Sequence, residues 1–178
     1  MDKTIIKDDQ QRSRGRFKPA LDLTTEEVKS VLLQKIEEET SKIIEDPSDF
    51  ELIQKADFRD DRINVVSLFS GAGGLDLGVE LAGLSSRIGI DKALETIKDE
   101  KIFQAIREES LFHTIYTNDM FVEANETYRK NFNPNIIQHK KDIRKVAHFP
   151  KNDLTIGGFP CPGFSEAGPR LIDDERNF

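Results

Sequence analysis

The sequence predicts a doubly wound, parallel α/β sheet of the Rossmann-like kind, preceded by a helical extension. Three observations carry this. A short β-branched run, "INVVSLF", passes straight into a glycine turn and then into helical spacing, "SGAGGLDLGVELAGL". Further short apolar runs then alternate with segments of helical period, the pattern of a parallel sheet with crossover helices. A glycine- and proline-rich loop, "GGFPCPGFSEAGPR", follows the last such run. The length suits one domain, by the usual prior of ~100–200 residues.

Residues 1–20 are polar, with a small basic run at Arg12, Arg14, Arg16 and Lys18, and read as a flexible tail, with a phosphate-contacting arm as the alternative. Residues 21–60 read as a helical extension. Thr24 and Glu27 make a capping-box pattern, and Val28, Leu32, Ile36 and Ile43 recur behind it, predicting a helix from Thr25 to Ile44. Asp46-Pro47 stops it, and a second short helix is expected from Pro47 to about Ala56.

From residue 61 the sheet domain begins. "INVVSLF" is the first strand, and the helix after it is marked by Leu75, Val79 and Ala82. Residues 91–112 look helical, "HTIYTND" is a strand, and "MFVEANETYRKNF" a helix with Phe121, Ala124 and Tyr128 on one face. "NIIQHKKD" holds a third strand and "DLTIGG" a fourth.

Composition removes several classes of function. No apolar run reaches membrane-spanning length, and the N-terminus lacks the apolar core of a signal peptide. The single cysteine excludes an intramolecular disulfide and points to a reducing, cytoplasmic setting. A net charge of −7 counts against strong nucleic-acid binding by this chain alone. No metal-ligating set stands out.

The chemistry concentrates in three places. In "FSGAGG", Phe69 to Gly74, glycines let the backbone turn tightly and approach a ligand at the positive end of the following helix. The spacing departs from G-x-G-x-x-G, which suits a ligand without a pyrophosphate there, such as an adenosyl group carrying an amino acid. An acid at the end of the second strand would hold ribose hydroxyls, and two candidates exist, Asp91 and Asp119. Each is equally readable as a helix N-cap. The third place is Cys161, flanked by Pro160 and Pro162 in a segment unsuited to helix or strand. That is the setting of a displayed thiol rather than of a packing cysteine.

"VVSLFSGAGGLDLGVELAG" and "GGFPCPGFSEAGPR" resemble the first and catalytic-loop motifs of the cytosine-C5 DNA methyltransferases. "IYTNDMFVEANETYRKNF" and "KKDI" resemble the second and third motifs, in the same order, so the likeness covers about Arg62 to Phe178. The resemblance implies a fold that binds S-adenosylmethionine, with Phe69, Ser70, Gly71, Ala72, Gly73, Gly74 and Leu75 lining its pocket. It favours Asp119, followed by the bulky Met120, as the acid for ribose and adenine, and leaves Asp91 in an insertion from Leu84 to about Phe112. Asp142 and Ile143 match the motif whose side chain faces the adenine amino group; the alternative for Asp142 is a cap or a partner of Lys140, Lys141 and Arg144. Pro160 is carried over as a cofactor contact, and Phe159, Pro160, Ser165 and Arg170 as contacts to double-stranded DNA.

Cys161 matches the nucleophile that adds to C6 of a cytosine flipped out of the duplex, so that C5 takes the methyl group. The implied setting is a bacterial restriction-modification system. Pro162 stands where the family more often has Gln, which bears on loop contacts but not on the nucleophile. The family's later Glu-Asn-Val and Arg-x-Arg motifs, target-recognition domain and closing helix do not follow "DDERNF". The expectation is therefore a chain inactive by itself, completed by a C-terminal polypeptide and prone to dimerise through the exposed edge of the fourth strand. Two other classes are retained as alternatives. They are a catalytically silent S-adenosylmethionine-binding module and, disfavoured by the glycine spacing, a nicotinamide-dependent oxidoreductase.

Overall fold

The computed structural model describes residues 24–160. They fall in two compact units, one holding the first helix together with Phe159 and Pro160, the other spanning Ile44–Gly158. In the first unit, α1 (Thr25–Ser41) opens on the capping box read from the sequence. The Thr24 hydroxyl accepts from the Glu27 N–H, and the Glu27 carboxylate accepts from the Thr24 N–H at 2.7 Å. The helix ends three residues before the expected Ile44, where the Lys42 N–H turns back to the Glu39 and Thr40 carbonyls.

The second unit is built on four parallel strands, β1 (Ile63–Leu68), β2 (Phe112–Asn118), β3 (Ile137–His139) and β4 (Leu154–Gly157), in the order β3-β2-β1-β4. This is the strand order of a doubly wound sheet, the class expected from the sequence. α2 (Pro47–Ile53) covers one face of the sheet, where Ile53 packs with Val66, Ile115, Tyr116 and Ile137. α3 (Gly74–Ile88), α4 (Ile90–Thr96), α5 (Glu100–Ile106), a 3-10 turn at Arg107–Glu109 and α6 (Val122–Asn131) complete the connections. The stretch read as one helical region, 91–112, is two short helices and that turn. Asp99 caps α5 by accepting from the Lys101 and Ile102 N–H groups, and Phe112 already belongs to β2.

Two apolar faces differ from the sequence reading. In α3 the buried positions are Asp76, Gly83 and Leu84, while Leu75 and Ala82 are exposed. The sheet-facing side is claimed by a carboxylate: Asp76 accepts from the Ser67 hydroxyl and the Tyr128 hydroxyl, each at 2.9 Å. In α6 Tyr128 is buried as expected, but Phe121 is the exposed N-cap and Asn125 is buried in its place. Asn125 takes the inner position because its amide satisfies the Asp119 and Phe121 carbonyls.

β4 is held in register by a polar anchor. Asp153 accepts from both the backbone and the side chain of the fully buried Asn64, each at 2.8 Å, and its own N–H returns to the Asn64 carbonyl. Those donors hold the Asp153 carboxyl below its ordinary range. The effect is to align the carboxyl ends of β1 and β4, where the glycine loop and the cysteine segment leave the sheet in sequence.

Candidate cofactor site

β1 ends at Leu68 and the chain reverses through Phe69–Gly73 into α3. Three residues here have left-handed backbone: Phe69 (φ 53°), Gly71 (55°) and Gly73 (93°). For Phe69 this is a rare conformation, costing ~1–3 kcal/mol, and such residues concentrate at ligand sites. The surrounding bonds impose it. The Ser70 N–H donates to the Asn118 carbonyl at the end of β2, and the Gly73 N–H to the Ser70 carbonyl. Gly73 caps α3 without a side chain, so no side-chain acceptor covers the amide end of the helix at the turn.

Gly73 also sits where no side chain fits. A Cβ there would lie 2.2 Å from the Phe132 ring and 3.0 Å from Tyr128. Those two rings stack at 4.1 Å between centroids, and the Arg107 guanidinium lies 4.9 Å over Phe132. Arg107 in turn pairs with the half-buried Glu80. The stacked rings thus form the floor beneath the glycine turn. Burial raises the Asp76 carboxyl above its ordinary range, opposed by the two hydroxyl donors, and burial likewise raises Tyr128.

At the end of β2 the chain places Asn118 and Asp119 side by side, both buried. Asp119 accepts from the Gly71 N–H with one oxygen and from the Phe121 N–H with the other, each at 2.8 Å. A carboxylate has about four lone-pair sites, so each oxygen keeps capacity for a further donor. Asn118 reaches the other way, its amide donating to the His139 carbonyl at 2.9 Å and the Lys141 carbonyl at 2.8 Å. One dipeptide therefore ties the loops after β1 and β3 to the end of β2. Sequence reasoning named Asp119 and did not name Asn118. The available signal was an amide at the last position of a strand rich in apolar and β-branched residues.

The remaining candidates are distributed as follows. Ser70 is buried; Ala72, Gly74, Leu75 and Met120 are exposed around the mouth of the turn. Asp142 and Ile143 open the 3-10 turn Ile143–Lys145 after β3, both half-buried. The Asp142 carboxylate accepts from the Arg144 backbone at 3.1 Å and from its guanidinium at 2.7 Å, which hold it below its ordinary range. Asp142 thus fills both of the structural roles read from the sequence. Asp91 is exposed in the first turn of α4. Phe159 and Pro160 are exposed. Cys161, Ser165 and Arg170 lie outside the described residues. Among the described residues no cluster of His, Cys, Asp and Glu could hold a metal, and no helix is long and apolar enough to cross a membrane.

The residues around the turn suit an adenosyl amino acid. An acid stands at the end of the second strand, glycines leave open space at Gly71 and Gly74, and the amide end of α3 has no side-chain cap. Comparison with known proteins points the same way. The family model for C-5 cytosine-specific DNA methylase matches residues 63–178. The Type II methyltransferase M.BsuRI of Bacillus subtilis is 61% identical over 167 residues, which are 94% of this chain and 38% of that protein. M.BspRI of Lysinibacillus sphaericus is 55% identical over 168 residues, 94% of this chain and 39% of its own length. M.FnuDI of Fusobacterium nucleatum is 38% identical over 117 residues, 64% of this chain and 25% of its own. The chain spans less than two fifths of each of these relatives, and no solved structure matches it. With the family model covering the whole sheet and both end motifs, the chain belongs to the C-5 cytosine-specific DNA methylase family.

Proposed function

We propose that these residues form the cofactor crevice and carry the nucleophile of a DNA (cytosine-5-)-methyltransferase. The observation that carries the reading is the Asp119–Gly71 bond, which joins the acid of β2 to the glycine turn of β1 beside β4. In this reading Asp119 accepts from the ribose hydroxyls through its remaining lone pairs, and Met120 and Leu75 flank the adenine. Gly71, Gly73 and Gly74 admit the amino-acid part, and Asp142 and Ile143 meet the adenine edge. Bound S-adenosylmethionine supplies an electrophilic methyl group.

Cys161 acts as its thiolate. Its sulfur lone pair forms a bond to C6 of an extruded cytosine, and the C5=C6 pair moves to C5, which becomes nucleophilic towards the methyl carbon. C5 would take the methyl group as its bond to the cofactor sulfur breaks, leaving S-adenosylhomocysteine, and loss of the C5 proton to water then restores the double bond and expels the thiolate. Pro160 and Pro162 restrict the backbone on either side of the sulfur, which favours one approach to the base. Phe159, Ser165 and Arg170 are the residues offered to the DNA. The names of the relatives place them among Type II methyltransferases, and we extend that setting, a bacterial restriction-modification system, to this chain. Reading and extruding the base needs surface beyond residues 1–178, so these residues alone are expected to transfer no methyl group.

Calorimetric titration with S-adenosylmethionine and with NAD tests the cofactor. Asp119→Ala is expected to weaken S-adenosylmethionine binding at least tenfold more than Asp91→Ala; the reverse ranking refutes the assignment. The nucleophile is tested in a polypeptide joined to the C-terminal part of a relative. Duplex DNA with 5-fluorocytosine in the target is expected to trap a covalent adduct, and Cys161→Ser to give none. An adduct with the serine variant removes Cys161 from the mechanism.

A further inference from the structure

The loop that follows β3 is gripped from two sides, and only one grip comes from the span matched by the family model. From within, Asn118 holds its carbonyls. From outside, α2 contributes Asp49, a carboxylate only 3% exposed. One Asp49 oxygen lies 3.0 Å from His139 Nε2, and the other 2.6 Å from Lys141 Nζ. His139 Nδ1 meets the Tyr116 hydroxyl at 2.6 Å, and Lys141 also reaches Asp46 at 3.3 Å. Asp46 in turn caps α2 through the Ser48 N–H. A helix at residues 47–53 is thus joined by buried polar bonds to positions 139 and 141, immediately before Asp142 and Ile143.

Burying a carboxylate is costly, and an apolar residue at position 49 would seal α2 against the sheet at least as well. What the polar set adds is direction: three partners with fixed geometry allow the loop one arrangement, where an apolar contact tolerates many. α2 already has an apolar anchor in Ile53. The polar set is therefore not needed merely to dock the helix.

We propose that Asp49 is a positioning residue for the cofactor site, holding residues 139–143 so that Asp142 and Ile143 meet the adenine edge. This rests on the reading of those two residues given above. Its consequence is specific: Asp49 acts on recognition of the adenine ring and not on the glycine turn, which is held by Asp119. Discrimination between a 6-amino and a 6-oxo purine then depends on a helix that precedes the matched family span.

The test compares S-adenosylhomocysteine with S-inosylhomocysteine on this chain, by calorimetry, for the parent, Asp49→Ala and Lys141→Met. The second substitution keeps an apolar stem on a half-buried side chain, so it carries the test should Asp49→Ala fail to fold. The parent is expected to prefer the adenosyl ligand. Each variant is expected to lose about tenfold in affinity for it, the size of one charge-assisted hydrogen bond, and less than about twofold for the inosyl ligand. Amide exchange at 139–146 should quicken while that at 71–74 stays unchanged. A folded variant that keeps the parent's preference, or unchanged exchange at 139–146, overturns the proposal. A parent chain that binds neither ligand, or both equally, instead overturns the reading of Asp142 and Ile143 on which it rests.

Discussion

Replacing Gly73 by alanine tests how tightly the glycine turn is packed on its floor. The new Cβ would stand 2.2 Å and 2.6 Å from two atoms of the Phe132 ring and 3.0 Å from Tyr128, at a φ of +93°. Left-handed backbone costs an alanine ~1–2 kcal/mol. Relief of the clash requires the ring to shift by roughly 1 Å, since carbon contacts settle near 3.5–4.0 Å. That ring is not free to move, being stacked on Tyr128, whose hydroxyl is held by Asp76, and covered by Arg107. Overpacking of this kind costs a further ~1–3 kcal/mol, giving about 2–5 kcal/mol in all against a typical domain stability of ~5–15 kcal/mol. Gly71→Ala supplies the control. Its φ is +55°, but its Cβ would meet nothing within 4 Å, so only the backbone term applies. Urea denaturation followed by far-ultraviolet circular dichroism measures both. Gly73→Ala should be the less stable by about 1–3 kcal/mol, and Phe132→Leu in the Gly73→Ala background should recover part of the difference. Equal midpoints for the two alanine variants, or no recovery, would refute the packing argument.

Two further outcomes follow from the same region. Gly74 and Gly78 both lie in α3 with open space where a Cβ would go, so each alanine variant should gain about 0.5–1 kcal/mol in the same denaturation experiment. Only Gly74→Ala should also weaken S-adenosylmethionine binding by calorimetry, because its Cβ enters the mouth of the turn; equal binding by both would remove Gly74 from the site. Tyr128→Phe withdraws a donor from the buried Asp76 carboxylate and should cost about 1–3 kcal/mol at neutral pH. Asp76 has a folded value raised above 3.8, so the folded state retains its proton where the unfolded state has lost it, and the group's contribution worsens as pH rises through that window. The hydroxyl favours the ionised form, so the loss in Tyr128→Phe should shrink as pH is lowered towards 3.8, which melts at several pH values would show; a pH-independent loss would contradict it.

The sheet was legible because its evidence is local. Each strand is a short apolar or β-branched run, and the glycine turn is contiguous with the first of them. The order β3-β2-β1-β4 then followed from the general topology of doubly wound folds. Helix faces were less legible, for a chemical reason. Leu75 and Ala82 advertise an apolar stripe, yet the sheet side of α3 is occupied by Asp76, whose partners Ser67 and Tyr128 lie 9 residues before it and 52 after it. Period analysis assigns the inner face to apolar residues and has no means of seeing a carboxylate satisfied by residues so distant. Phe121 misled in the same way, its ring exposed at the helix start while Asn125 turned inward. The positive φ of a non-glycine residue, Phe69, gave no sign in the sequence at all, because the bonds that impose it come from Asn118 and Asp119, nearly 50 positions away.

What joins these cases is a division of labour between apolar and polar contacts. Val66, Ile115, Ile137 and Ile53 determine that the strands and α2 come together, and a hydrophobic pattern is enough to read that. The arrangement of the loops above the strands is determined by a few buried polar side chains at strand ends. Asn64 aligns β4, Asn118 spans from β2 to the loop after β3, and Asp119 fastens the turn after β1. Each meets partners that sequence proximity does not indicate, and each would be costly to bury unpaired. The arrangement of these loops is therefore encoded chiefly in long-range hydrogen bonds between residues of ordinary appearance. Asp49, which lies 90 and 92 positions from the groups it holds, extends that rule to a helix outside the matched family span.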